Sequence, residues 1–145
     1  MESGPTYRIL AAIDGSEHAN RTIDRVVRLA ASGLTTEVLL LNVEPEIVDW
    51  QTHGLARESM LAHRDYLGQQ ATEGARRLLD AAGIAYQVRI ELGDPAATIA
   101  RIAREQHCDC IAMGTRGTGA IPGIALGSVA HKVVHLADVP VLLVK

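Results

Sequence analysis

Between Met113 and Ala130 the chain reads Met-Gly-Thr-Arg-Gly-Thr-Gly-Ala-Ile-Pro-Gly-Ile-Ala-Leu-Gly-Ser-Val-Ala, and these are the residue types that point to chemistry. The stretch holds five glycines (Gly114, Gly117, Gly119, Gly123 and Gly127), one proline and a single charge, Arg116. Glycine admits positive φ and lets backbone approach a ligand with no Cβ in the way. A Gly-Ser step that opens a helix leaves N–H groups without intrahelical partners, a hydroxyl beside them and the positive end of the helix dipole behind them. Together these make an anion site, and phosphate is the anion they suit. A plain connector that turns a corner would use the same glycines, so the elements around the loop must decide.

Those elements alternate. Tyr7 to Ile13 is an apolar run ended by Asp14-Gly15-Ser16, which reads as a buried strand and a turn. Ser16 caps a helix with Ala19, Ile23, Val26, Val27 and Ala30 on one face, Arg21, Asp24, Arg25 and Arg28 toward water, and Gly33 at its end. Glu37 to Val43 is a second strand, too apolar to have one wet face. Glu44 to Arg57 has no periodicity and is expected to loop at the same end of the sheet as Asp14, with the lone Trp50 packed locally. Glu58 to Ala82 reads as a long helix with the stripe Leu67, Ala71, Ala75, Leu78 and Ala82. Ala85 to Leu92 alternates apolar and polar residues, as a half-exposed edge strand does. Asp94 and Pro95 start a helix that buries Ala96, Ile99, Ala100 and Ala103. Asp109 to Met113 is a fourth strand, Ser128 to about Leu136 a fourth helix, and Pro140 introduces a last strand from Val141 to Val144.

Strand and helix in alternation imply an α/β fold, a doubly wound parallel sheet with right-handed crossovers. Ligands of such sheets bind beyond the carboxyl ends of the strands, where the strand order reverses. With the first and fourth strands adjacent there, the Asp14 turn and the glycine loop flank one crevice. The 145 residues make one domain, 1–145, with no internal repeat or linker. The composition is 48% hydrophobic, 3% aromatic and free of Phe, so Ala, Val, Ile and Leu must build the core. A net charge of −3 offers no basic excess for nucleic acid or an anionic membrane. No uninterrupted apolar run approaches the ~18 residues of a membrane span, and the first residues carry no apolar leader, so a soluble cytoplasmic protein is the expectation. Cys108 and Cys110, two apart in an extended segment, are expected on one side of the sheet as buried thiols. His131 and His135 lie four apart on one helix, and with no third ligand evident they read as a surface or partner-facing pair.

Two familiar nucleotide signatures are absent. There is no Gly-Lys-Ser or Gly-Lys-Thr, and the first turn reads Asp-Gly-Ser-Glu-His-Ala, not Gly-X-Gly-X-X-Gly. The phosphate site therefore belongs to the fourth strand. There Gly114-X-X-Gly117, nine residues, then Gly127-Ser128 resembles the Gly-2X-Gly-9X-Gly-Ser/Thr pattern of the ATP-binding universal stress proteins. The resemblance spans the whole chain: Asp-Gly-Ser after strand one, Asn-Val ending strand two, Gly-Asp-Pro before helix three, Met-Gly-Thr-Arg-Gly after strand four, Gly-Ser-Val-Ala at helix four and Pro-Val-Leu-Leu-Val at the end.

What the resemblance implies is a five-stranded Rossmann-like sheet of order 3-2-1-4-5, with helices on both faces and an ATP pocket at the switch point. Ala12, Ile13 and Val43 would line the adenine slot, Val43 through its backbone. Asp14 would lie near the ribose or the phosphate-bound Mg²⁺, which would keep mostly water and phosphate oxygens as ligands. Gly114, Arg116 and Gly117 would flank ribose and phosphates. Gly127, Ser128 and Val129 would hold phosphate oxygens, with Met113, Thr115 and Ala130 completing the binding set. The loop from Thr118 to Leu126 has no Lys or Arg, unlike many members of the family, which leaves Arg116 as the main nearby cation. No nucleophile-plus-base pair stands near the glycines, so the implied role is a stress-response or signalling module with at most slow ATP hydrolysis. The alternative is a nucleotide-independent dimeric adaptor; an adenylating ligase of related architecture would need a Ser-Gly-Gly-X-Asp-Ser turn that is absent here. Either leading role is expected as a homodimer, paired through the Val139–Val144 edge strand.

Overall fold

The computed structural model describes residues 4–34, 36–46, 57–117, 122–123 and 126–145. In chain order the elements are β1 (Tyr7–Ala12), α1 (Glu17–Ala31), β2 (Thr36–Glu44), α2 (Arg57–Ala82), β3 (Ala85–Leu92), α3 (Pro95–Glu105), β4 (Cys110–Gly114), α4 (Ser128–Leu136) and β5 (Val141–Val144). The strands form one parallel sheet in the order β3-β2-β1-β4-β5. β1 lies at the centre, with Leu10 opposite Leu39 on one side and Ile111 on the other. Trp50, and the loop positions 118–121 and 124–125 that include Gly119, lie outside the described residues.

Strand alternation feeds two cores. Leu10, Leu39, Leu41, Ile111 and Met113 point into a layer completed by Ile99 and Ile102 of α3 and Val133 of α4. Ile9, Ala11, Val38, Leu40 and Ala112 point the other way, against Ile23 and Val26 of α1 and Ala75 and Leu79 of α2. Both faces of the central strands are thus covered, which is why β1, β2 and β4 read as continuous apolar runs. Each fully buried Leu or Ile contributes about 1.5–3 kcal/mol by leaving water. Ser16 caps α1 by accepting the Ala19 N–H at 3.3 Å, and Asp94 caps α3 by accepting that of Ala97 at 3.0 Å. Among the described residues no helix is long and apolar enough to cross a membrane.

Three expectations need correction. The buried stripe of α2 is Gly68, Thr72, Ala75 and Leu79, with Leu67, Ala71 and Leu78 on its shoulders and Ala82 exposed. The helix is rotated because Gly68 seats it on β3: a Cβ there would stand 2.5 Å from Ile90 Cγ2 and 2.6 Å from Cγ1, too close for a β-branched side chain to yield. Ile13 lies just past β1, although its N–H still donates to Leu41 O at 2.9 Å. Cys108 and Cys110 do not share a side. Cys108 packs with α3 and α4, whereas Cys110 alternates with Ile111 and faces the sheet side of Ala112. The cause is that Cys108 precedes the strand, after His107 in the left-handed region (φ 52°). Both thiols are buried, and that burial pushes their pKa values up from the ordinary range.

Candidate functional site

A cavity of about 600 Å³ opens at the carboxyl ends of the strands, within the range of small-ligand sites. β1 contributes Ala12 and the turn after it Ile13 and Asp14; β2 contributes Leu41 to Glu44 and then Pro45; β4 and its loop contribute Met113 to Gly117; α4 contributes Ser128 to Lys132 behind Leu126 and Gly127. Pro95 and Ile99 of α3, Ala19 of α1 and its cap Ser16 close the sides. Because β2 and β4 flank β1, the cavity straddles the switch point of the sheet. Every residue assigned to binding from the sequence, from Ala12 through Val43 to Ala130, lines this one space.

Backbone bonds place the glycine frame. Thr115, which is buried, donates its N–H to Val144 O at 2.9 Å, and its carbonyl accepts the Gly127 N–H at 2.6 Å. Gly127 is the N-cap of α4 in extended geometry (φ −68°, ψ 161°) and supplies no side-chain cap. The first N–H groups of α4 therefore meet the cavity with the positive end of the dipole behind them. The glycines sit at close approaches. A Cβ at Gly114 would stand 3.0 Å from Arg116 O and 3.1 Å from His18 Cβ, and one at Gly127 would stand 3.2 Å from Thr115 O. A Cβ at Gly117 would collide with Asp14 Oδ2, so the β1 turn and the β4 loop are in direct contact.

Asp14 is held in turn. Its Oδ1 accepts the Ser16 N–H at 3.0 Å, and Gly15 beside it takes positive φ (86°) against Ala71 of α2. Asn42, 1% exposed, donates its Nδ2–H to Ile13 O at 2.8 Å. That bond extends the β1–β2 ladder one step past the strand and fixes the peptide that carries Asp14. The Asn42 Oδ1 is buried and has no partner among the described residues.

Sequence reasoning overlooked Asn42, Glu44, Pro95, Ile99 and Lys132 as cavity residues. Asn42 is one polar residue in an apolar strand, and nothing local marks it as a brace. Arg116 is also not alone: Lys132 brings a second cation into the lining from α4. His131 lines the cavity as well and stacks edge-to-face on His135, ring centroids 4.8 Å apart. A smaller cavity of about 300 Å³ lies elsewhere, between α3 and the segment before β5, lined by Arg104, Cys108 and Asp138 among others.

Comparison with known proteins gives a consistent answer. The sequence model described as the universal stress protein family matches residues 6–145. A curated relative, the universal stress protein in the QAH/OAS sulfhydrylase 3'region of Thermus aquaticus, is 31% identical over 138 residues, covering 94% of this chain and 97% of its own. The solved structure of hypothetical protein MJ0577 superimposes with a TM-score of 0.76 at 28% identity, covering 96% of this chain and 95% of that one. An Arabidopsis thaliana family member described with AMP bound has a TM-score of 0.69 at 19% identity, covering 96% of this chain and 91% of its own. Universal stress proteins described in complex with cAMP and, from Archaeoglobus fulgidus, with dAMP have TM-scores of 0.65 and 0.64 at 22% and 20% identity, covering 96% and 97% of this chain and 97% and 98% of theirs. At those identities the three share the fold.

The Asn42 brace makes a prediction. Asn42→Asp replaces the donor by a carboxylate that faces the Ile13 carbonyl in a buried setting, at a cost of roughly 1–3 kcal/mol at neutral pH. Burial raises the folded-state pKa of such a group, so stability returns as pH falls and the protonated carboxyl donates in place of the amide. Urea midpoints of variant and wild type should differ most near pH 8 and converge toward pH 5. A gap that does not change with pH would refute the assignment.

Proposed function

The chain belongs to the universal stress protein family, and from that premise we propose that it is an adenine-nucleotide-binding module that takes ATP with Mg²⁺. The observation that carries the reading is the cavity at the switch point, in which an apolar side meets a glycine frame at a helix start with no side-chain cap. An adenine ring suits the side formed by Ala12, Ile13, Leu41, Val43, Ile99 and Met113, with the Val43 backbone offering polar groups to the ring edge. The ribose then meets Asp14 and the loop of Gly114, Thr115, Arg116 and Gly117. The phosphates meet the Gly127 to Ala130 segment, where backbone N–H groups and the Ser128 hydroxyl are the donors. Mg²⁺ in this reading rides on the phosphates. Relatives described with AMP, cAMP and dAMP support an adenine nucleotide as the ligand class.

On this reading the protein is a nucleotide-dependent stress-response or signalling switch. Any hydrolysis would be slow, since positioning and backbone electrostatics are the only catalytic means proposed. Two copies pair through β5. That strand is a sheet edge whose Val141, Leu142 and Leu143 stay half-buried, and Val134 and Leu136 of the adjacent α4 are exposed at 47% and 48%. The chain is one domain acting in the cytoplasm.

Two measurements test this. Calorimetric titration of nucleotide-free protein with ATP and Mg²⁺ should give a micromolar or tighter Kd that Gly114→Ala weakens at least tenfold, because its Cβ pushes on Arg116 O and His18. A folded wild type that binds no ATP would retire the nucleotide reading and leave the dimeric adaptor. Light scattering at micromolar concentration should give the mass of two chains, and a monomer mass would rule out the β5 pairing.

A further inference from the structure

Two cations line the cavity from different elements. Arg116 enters from the loop after β4, and Lys132 enters from the second turn of α4. Six arginines (Arg8, Arg64, Arg77, Arg89, Arg101 and Arg104) are committed to carboxylates, whereas neither Arg116 nor Lys132 forms an ion pair among the described residues. Lys132 is exposed and follows Ser128 by four residues, so the two share a helix face. Helical side chains lean toward the N-terminus. A lysine stem is long enough to recross the ~5.4 Å of one turn, so the Lys132 ammonium group has the reach to meet a ligand seated at the Ser128 hydroxyl and the open N–H groups of α4.

A single phosphate seated at those N–H groups has its donors already, from the backbone of Ser128 to Ala130 and the Ser128 side chain. A cation one turn further along the same face is placed for negative charge beyond that phosphate. We infer that Lys132 contacts the phosphates after the first, so that this site takes nucleoside di- and triphosphates in preference to monophosphates. This deepens the nucleotide reading above and rests on it. It also supplies the positive charge that the loop from Thr118 to Leu126 lacks in sequence. An ammonium suits the task, because it meets phosphate oxygens as a compact point charge with three donors.

The test is calorimetric titration of the whole chain with ATP and Mg²⁺, with ADP and with AMP, on wild type, Lys132→Gln and Lys132→Arg at two salt concentrations. Wild type should bind ATP at least tenfold tighter than AMP. Lys132→Gln should weaken ATP about tenfold, the size of one lost charge-assisted contact, leave AMP within about twofold, and flatten the salt dependence for ATP. Lys132→Arg should restore most of the ATP affinity. Equal weakening of ATP and AMP, or no weakening of ATP, would overturn the inference while leaving the nucleotide reading intact. A wild type that binds ATP and AMP alike would do the same. A wild type that binds none of the three would overturn both.

Discussion

The peptide of Thr115 joins three elements at the point where the sheet changes direction. Its N–H closes onto Val144 O of β5, and its carbonyl takes the N–H of Gly127, the residue that caps α4. Both ends of the β4–α4 connection are thus fixed by backbone and not by side chains. The consequence is a helix start aimed along the carboxyl ends of β1 and β4, with its dipole directed at the cavity. On the opposite side Asn42 does the corresponding work for β1, holding the Ile13 carbonyl and so the turn at Asp14.

Close approach explains the residue types along this crevice. Asp14 lies so near Gly117 that any side chain there would strike it, and Gly114 and Gly127 each run within contact distance of backbone carbonyls. These positions favour glycine because a Cβ would crowd its neighbours, not because of an unusual φ. The same logic acts far from the cavity at Gly68, where α2 lies directly on Ile90 of β3. A fold whose core is built from Ala, Val, Ile and Leu, with few aromatic residues, gains its packing density by bringing backbones together.

Much of this was legible in the sequence because it depends on local signals. Apolar runs without a wet face gave β1, β2 and β4, and Ser16 and Asp94 gave the starts of α1 and α3. The Gly114 to Ser128 spacing gave the frame of the cavity, and its resemblance to the universal stress proteins gave the strand order. What escaped reading depends on contacts between distant segments. The buried stripe of α2 is centred on Gly68, a residue that carries no hydrophobic signal. Asn42 looks like a blemish in an apolar strand until Ile13 O is seen beside it. Lys132 reads as an ordinary exposed lysine, since its place in the cavity depends on where α4 begins relative to β1. The two thiols were assigned to one face because the left-handed turn at His107 leaves no mark in a pattern of alternation.

The central claim is that an adenine nucleotide lies across the switch point with its phosphates on α4. It is tested most directly by following backbone amide resonances of the isotopically labelled protein during titration with ATP and Mg²⁺. The account predicts the largest shifts at Val43, Gly114, Gly117, Ser128 and Val129, saturating together with one affinity. Shifts centred instead on the smaller cavity around Cys108 and Asp138, or amides from Gly114 to Gly117 and Ser128 to Ala130 that stay in place at saturating nucleotide, would contradict it.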